Sequence, residues 1–132
     1  MVVSAALVGA MLPSAFSVEA TDAVEAKLTE MTLREKVGQL FWVRPEALDF
    51  SLNPEKKKLT QTMRQNLKQY PVGGIVIFKG NIQDESQLSS LIADFQSTSK
   101  IPMIVAVDEE GGSVARLANH EAFSLPKYKS AR

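Results

Sequence analysis

Three carboxylates, two glycines and an arginine crowd into one short segment of this 132-residue chain, Asp108-Glu109-Glu110-Gly111-Gly112-Ser113-Val114-Ala115-Arg116. The run before it, Met103-Ile104-Val105-Ala106-Val107, is apolar throughout and reads as a buried strand. Acids at the carboxyl end of such a strand stand where α/β folds place their ligands. They must reach solvent there or find a cation, because burying an unpaired charge is costly, and Arg116 is the nearest cation. Gly111-Gly112 lets the backbone bend sharply beside that position. A purely structural use stays open, since aspartate at a strand end also serves as a turn residue.

Other chemistries find less support. Adjacent acids on one turn point in different directions, so the segment does not read as a metal site, and no cofactor is expected. His120, the sole histidine, sits in a polar loop beside Glu121; its ordinary pKa suits a base, but no partner group marks it as catalytic. The chain has no cysteine, which removes disulfides, thiolate nucleophiles and Cys-based zinc sites. Fifteen basic and fifteen acidic residues cancel, so nothing favours nucleic acid as a partner. The Lys56-Lys57-Lys58 cluster reads as the solvated face of a helix rather than a basic arm.

The elements that must position the acidic segment follow from local patterns. Asp22 with Glu25 and Thr32 with Glu35 have capping-box spacing, which predicts short helices near 23–30 and 33–38. Gln39 to Val43 reads as a first buried strand. Asn53-Pro54 then opens a helix reaching about residue 70, with Leu59, Met63, Leu67 and Tyr70 at helical spacing. Ile75 to Phe78 is a second strand, apolar on both faces. Asp84 caps a helix whose apolar stripe is Leu88, Leu91, Ile92 and Phe95. Trp42 and Phe78, within or ending buried strands, are expected to pack in the core rather than serve as stacking platforms.

Strand, helix, strand, helix, strand demands a parallel α/β sheet. A doubly wound sheet and a (β/α)8 TIM-type barrel both fit. Three strands in roughly ninety residues is the density of a barrel of ~250 residues, so the chain reads as its incomplete first part. Residues 1–20 are apolar up to Glu19, with Ser17 or Ala20 as the last residue before a cut, and predict an export signal; an apolar N-terminal helix is the other reading. The run from Val2 to Leu12 is shorter than the ~20 residues of a membrane span, so no stable span is expected in a mature chain. The expected organisation is thus a signal over 1–20 and barrel sequence over 21–132.

The segments MTLREKVGQLFWV, VGGIVIFKGNI with the following QLSSLIADFQ, and IVAVDEEGGSVARL together resemble the N-terminal part of the catalytic barrel of glycoside hydrolase family 3, in its β-N-acetylhexosaminidase branch. The likeness runs from about residue 29 to the end; the related β-glucosidase branch is less similar at the acidic loop. What the resemblance implies is a retaining hydrolase releasing terminal β-linked N-acetylglucosamine, as in cell-wall muropeptides or chitin fragments, with carbohydrate as its partner; the signal-like residues 1–20 separately predict export, to the surface or surroundings of a bacterium. Asp108 matches the carboxylate that in such enzymes accepts hydrogen bonds from the terminal sugar. Glu109, Glu110, Gly111, Gly112 and Arg116 would shape the loop, Arg116 by an ion pair. Ser113 stands where a frequent form of the motif has arginine. The family's aspartate nucleophile and its histidine–aspartate acid/base match nothing in this sequence, which implies a portion inactive alone. A non-catalytic carbohydrate-binding or interaction module is the alternative from another class.

Overall fold

A computed structural model describes residues 15–51 and 57–130. The chain forms two compact units that part between Met31 and Thr32. In the first, helix α1 (Ala15–Glu30) carries a Lys27–Glu30 ion pair at 3.6 Å, and its Val24 and Leu28 are exposed. The helix already runs through Asp22, so the cap expected there is not formed: backbone N–H groups at that point have partners one turn upstream. Residues 1–14, most of the signal-like run, lie outside the described residues.

The second unit opens with α2 (Leu33–Gly38), held by the expected capping box. Thr32 Oγ1 accepts the Glu35 N–H at 3.2 Å and the Glu35 carboxylate accepts the Thr32 N–H at 2.7 Å. Strand β1 (Trp42–Val43) is shorter than expected, because α2 ends in turns that take up Leu40 and Phe41. Helix α3 (Gln61–Gln69) begins at Thr60, whose hydroxyl accepts the Met63 N–H at 3.1 Å, well after the expected start. Asn53-Pro54 and Lys56 lie outside the described residues, and Lys57 and Lys58 sit in a bend before α3, not on a helix face. Strand β2 (Gly74–Ile77), helix α4 (Glu85–Thr98) and strand β3 (Ile104–Val107) follow, and Asp84 caps α4 through the Gln87 N–H at 2.8 Å.

The three strands are parallel in the order β1-β2-β3, with Trp42 opposite Gly74 and Ile77 opposite Val107. Ile75 and Ile77 of β2 meet Met63 and Leu67 of α3 and Leu88, Leu91 and Phe95 of α4 in the core. Arg64 ties the two helices together through Asp94 at 3.0 Å and Thr98 at 2.8 Å. The Gln96 side chain fixes the start of β3 by bonding both the N–H and the carbonyl of Met103. The edge strands are less covered than their apolar sequences suggest: Trp42 is 48% and Ile104 55% exposed. Apolar composition reports what a strand can bury, whereas its place at a sheet edge decides what it does bury.

Candidate functional site

All three parallel strands end on the same side of the sheet, and each delivers a polar or aromatic residue there. β1 leads into Arg44, β2 into Phe78 and Lys79, and β3 into Asp108. Beyond Asp108 the chain folds into a hairpin of β4 (Glu109–Gly111) and β5 (Val114–Ala115), irregular in register between Glu109 and Gly111. Gly111 at φ +85° and Gly112 at φ +57° make its turn, a backbone shape that L side chains adopt only at a cost.

The three acids have different situations. Asp108 faces Arg116 at 3.7 Å, while its carbonyl accepts the Arg116 N–H at 3.1 Å. Its side chain is 43% exposed. Glu109 turns back on the loop, its carboxylate accepting the N–H groups of Leu117 at 2.9 Å and Ala118 at 3.0 Å. Those two amides, Leu117 first, hold its carboxyl below the usual range, with Arg116 adding a smaller pull. Glu110 is exposed. The loop is also sewn to later sequence, since the Gly112 N–H donates to the Tyr128 carbonyl at 2.9 Å and the Asn119 amide to the Gly112 carbonyl at 2.7 Å.

Two groups absent from the sequence reading join this end of the sheet. Arg44 pairs with Glu46 at 2.9 Å, and its guanidinium carbon lies 4.7 Å from the centre of the Phe78 ring. Burial raises the Glu46 carboxyl, but bonds from its own backbone, Arg44 and Asn81 together outweigh it, and the net shift is downward. Phe78 is half-buried and is not among the hydrophobics of the core or those packed on it, and neither is Trp42. The core role expected of both therefore gives way: Phe78 points its ring at cations, and Trp42 lies on an edge strand against Gly74. Sequence could have flagged Arg44 by its place directly after a strand, as it did Asp108.

A 170 Å³ recess beside the loop is lined by Lys79, Ser113, Ala115, Arg116, Asn119 and His120. His120 stacks edge-on with Phe123 at 5.8 Å and accepts the Ala122 N–H on Nδ1 at 3.3 Å. No cluster of metal-ligating side chains occurs among the described residues. A larger apolar hollow lined by Leu33, Val37, Phe41, Tyr70 and Val72 contains none of the acidic-loop residues.

Parallel βα units whose strands end together at an acidic, glycine-turned loop belong to the class of α/β folds, doubly wound sheets and barrels, that hold ligands at the carboxyl ends of their strands. The glycosyl hydrolase family 3 N terminal domain matches residues 32–129, and the chain belongs to that family. The β-hexosaminidase of Photobacterium profundum is 38% identical over 82 residues, 61% of this chain and 22% of the relative. That of Bordetella avium is 33% identical over 73 residues, 55% of this chain and 21% of the relative. Among solved structures, native NagZ from Neisseria gonorrhoeae superposes with a TM-score of 0.50 at 30% identity, covering 62% of this chain and 21% of that one. A glycoside hydrolase family 3 β-N-acetylglucosaminidase from a Paenibacillus species gives 0.52 at 30% identity, over 66% and 16%. These likenesses place the chain in the β-N-acetylhexosaminidase branch, and the fold is the first three parallel strands of an incomplete TIM-type barrel. The chain spans about a fifth of the length of the curated relatives it matches.

Proposed function

We propose that this chain is the sugar-holding N-terminal portion of a retaining glycoside hydrolase that releases terminal β-linked N-acetylglucosamine from cell-wall or chitin fragments. The observation that carries the reading is Asp108: a part-exposed carboxylate at the carboxyl end of β3, on a braced loop, in a chain whose relatives are β-hexosaminidases. Such an acceptor grips a hydroxyl more strongly than a neutral group would. Retaining hydrolysis needs two groups about 5 Å apart flanking the bond, one of them a carboxylate free to attack carbon. Glu109 is committed to two backbone amides and so is a poor second member. The portion therefore holds a sugar without cutting it, and the cutting groups belong to barrel segments of the relatives that it does not span.

We further propose export, on the signal-like residues 1–20, with carbohydrate rather than nucleic acid as the partner, in keeping with the zero net charge. Among the described residues no helix is long and apolar enough to cross a membrane.

The test is an NMR titration of the chain with N-acetylglucosamine alongside a chromogenic β-N-acetylglucosaminide assay. Loop amides from 108 to 116 shift on sugar addition, Asp108→Asn weakens binding about ten- to hundredfold, and no turnover is seen. Sugar binding that ignores Asp108→Asn would refute the grip, and turnover above background would refute the inactivity.

A further inference from the structure

Phe78 stands between the other two strand ends, and the groups over its ring are cations. The Arg44 guanidinium carbon is 4.7 Å and that of Arg116 5.8 Å from the ring centre, both within the ~6 Å reach of a cation–π contact. We propose that Phe78 is a positioning residue for the sugar site: its ring is the shared platform that keeps Arg116 beside Asp108.

Arg116 needs such a platform. Its pairing with Asp108 is long, 3.7 Å, and uses one nitrogen. Its Nε is buried without a hydrogen-bond partner. A guanidinium has five donors in a fixed fork and is usually held by planar, two-point contacts, which Asp108 does not supply. What remains to fix the plane is the backbone bond of Arg116 to the Asp108 carbonyl, which sets where the side chain starts, and the Phe78 ring, which sets where it lies.

The backbone that carries the ring is well anchored. The Phe78 N–H donates to Asn81 Oδ1 at 2.9 Å, its carbonyl accepts the Asn81 N–H at 2.8 Å, and Asn81 is fully buried. Arg44 is tethered separately by Glu46 at 2.9 Å. Two guanidinium groups brought to one place repel, and the electron-rich ring they share offsets part of that repulsion. The contacts thus link all three strand ends, Glu46 and Arg44 from β1, Phe78 from β2, and Arg116 with Asp108 from β3.

The consequence for sugar binding rests on the reading of Asp108 as the sugar acceptor, so two readouts separate the ideas. In the full chain, Phe78→Leu is expected to speed hydrogen exchange of the Arg116 Nε–H about fivefold and to weaken N-acetylglucosamine binding by a similar factor. Phe78→Tyr, which keeps the ring, restores both to within about twofold. Far-UV circular dichroism and β2 amide protection stay as in the parent, which a general loss of packing would not allow. If Phe78→Leu unfolds the chain, Phe78→Met serves as the unbranched substitute. Unchanged Arg116 exchange in a folded aliphatic variant overturns the proposal. If the parent chain binds no sugar, the reading of Asp108 falls, while the exchange measurement still decides the role of Phe78.

Discussion

Substituting alanine at each of the two loop glycines separates backbone strain from steric exclusion at the acidic loop. At Gly111 a Cβ would sit 2.5 Å from the Lys129 carbonyl oxygen and 3.0 Å from that of Tyr128, at a φ of +85°. At Gly112 the nearest atom would be Ser130 Cβ at 3.2 Å, at a φ of +57°. Both variants carry the left-handed penalty of about 1–2 kcal/mol. Gly111→Ala must in addition push residues 128–130 off the loop and strain the Gly112 N–H bond to Tyr128, worth about 1 kcal/mol. Gly111→Ala should therefore cost about 2–3 kcal/mol and Gly112→Ala about 1–2 kcal/mol. Urea unfolding followed by the fluorescence of Trp42, the only tryptophan, reads both. With a slope of roughly 1–3 kcal/mol per molar urea, the midpoint falls by about 1–3 M for Gly111→Ala and, at the same slope, by less for Gly112→Ala. Equal midpoints, or the greater loss at Gly112, would show that segment 128–130 does not press on the loop as described.

Two further outcomes follow from named charges. Lys100 lies 2.7 Å from Glu35 and is the first cause holding that carboxyl at about 2 instead of 4.5. A folded-state pKa below the unfolded one means that the stabilisation is complete above about pH 4.5 and is lost as pH falls through about 2. Lys100→Met should raise the Glu35 carboxyl toward its ordinary value and flatten that acid limb, as carboxyl-detected NMR titration would show; an unmoved titration would discount the pair. Glu109→Gln should speed exchange of the Leu117 and Ala118 amides, which its carboxylate holds at 2.9 and 3.0 Å, whereas Glu110→Gln should leave them unchanged. Equal protection in both variants would remove Glu109 from the loop's framework.

What the sequence makes legible is local. The Asp84 cap with Gln87 and the stripe Leu88, Leu91 and Phe95 need only neighbours within α4, and the Thr32–Glu35 box only its own turn. Where two local signals compete, pattern alone cannot choose. Asn53-Pro54 reads as a helix start, whereas α3 begins at Thr60, a threonine whose hydroxyl is free to accept the Met63 N–H. Asp22 has a good capping pattern but stands inside a helix that has already begun. The apolar run from Gln39 to Val43 reads as a buried strand because composition does not reveal that β1 is an edge. Phe78 is assigned to the core for the same reason: an aromatic at a strand end looks like core until the groups over its ring, from two other strand ends, are known.

The acidic loop shows why neighbouring acids of one type need not share one job. Glu109 is drawn inward by two amide dipoles and works as a framework group, its charge already satisfied by the protein. Asp108 is left with one long contact to an arginine, so much of its accepting capacity remains unused and exposed. A carboxylate in that condition can bind a hydroxyl without first breaking a strong bond, which is what a gripping group requires. A retaining nucleophile must be a carboxylate free to attack carbon, and Glu109 is not, since the folding of this loop commits it to two amides. On this reasoning the loop's own framework leaves Asp108, and not Glu109, available to a ligand, and freeing Glu109 for other work would first require another support for Leu117 and Ala118.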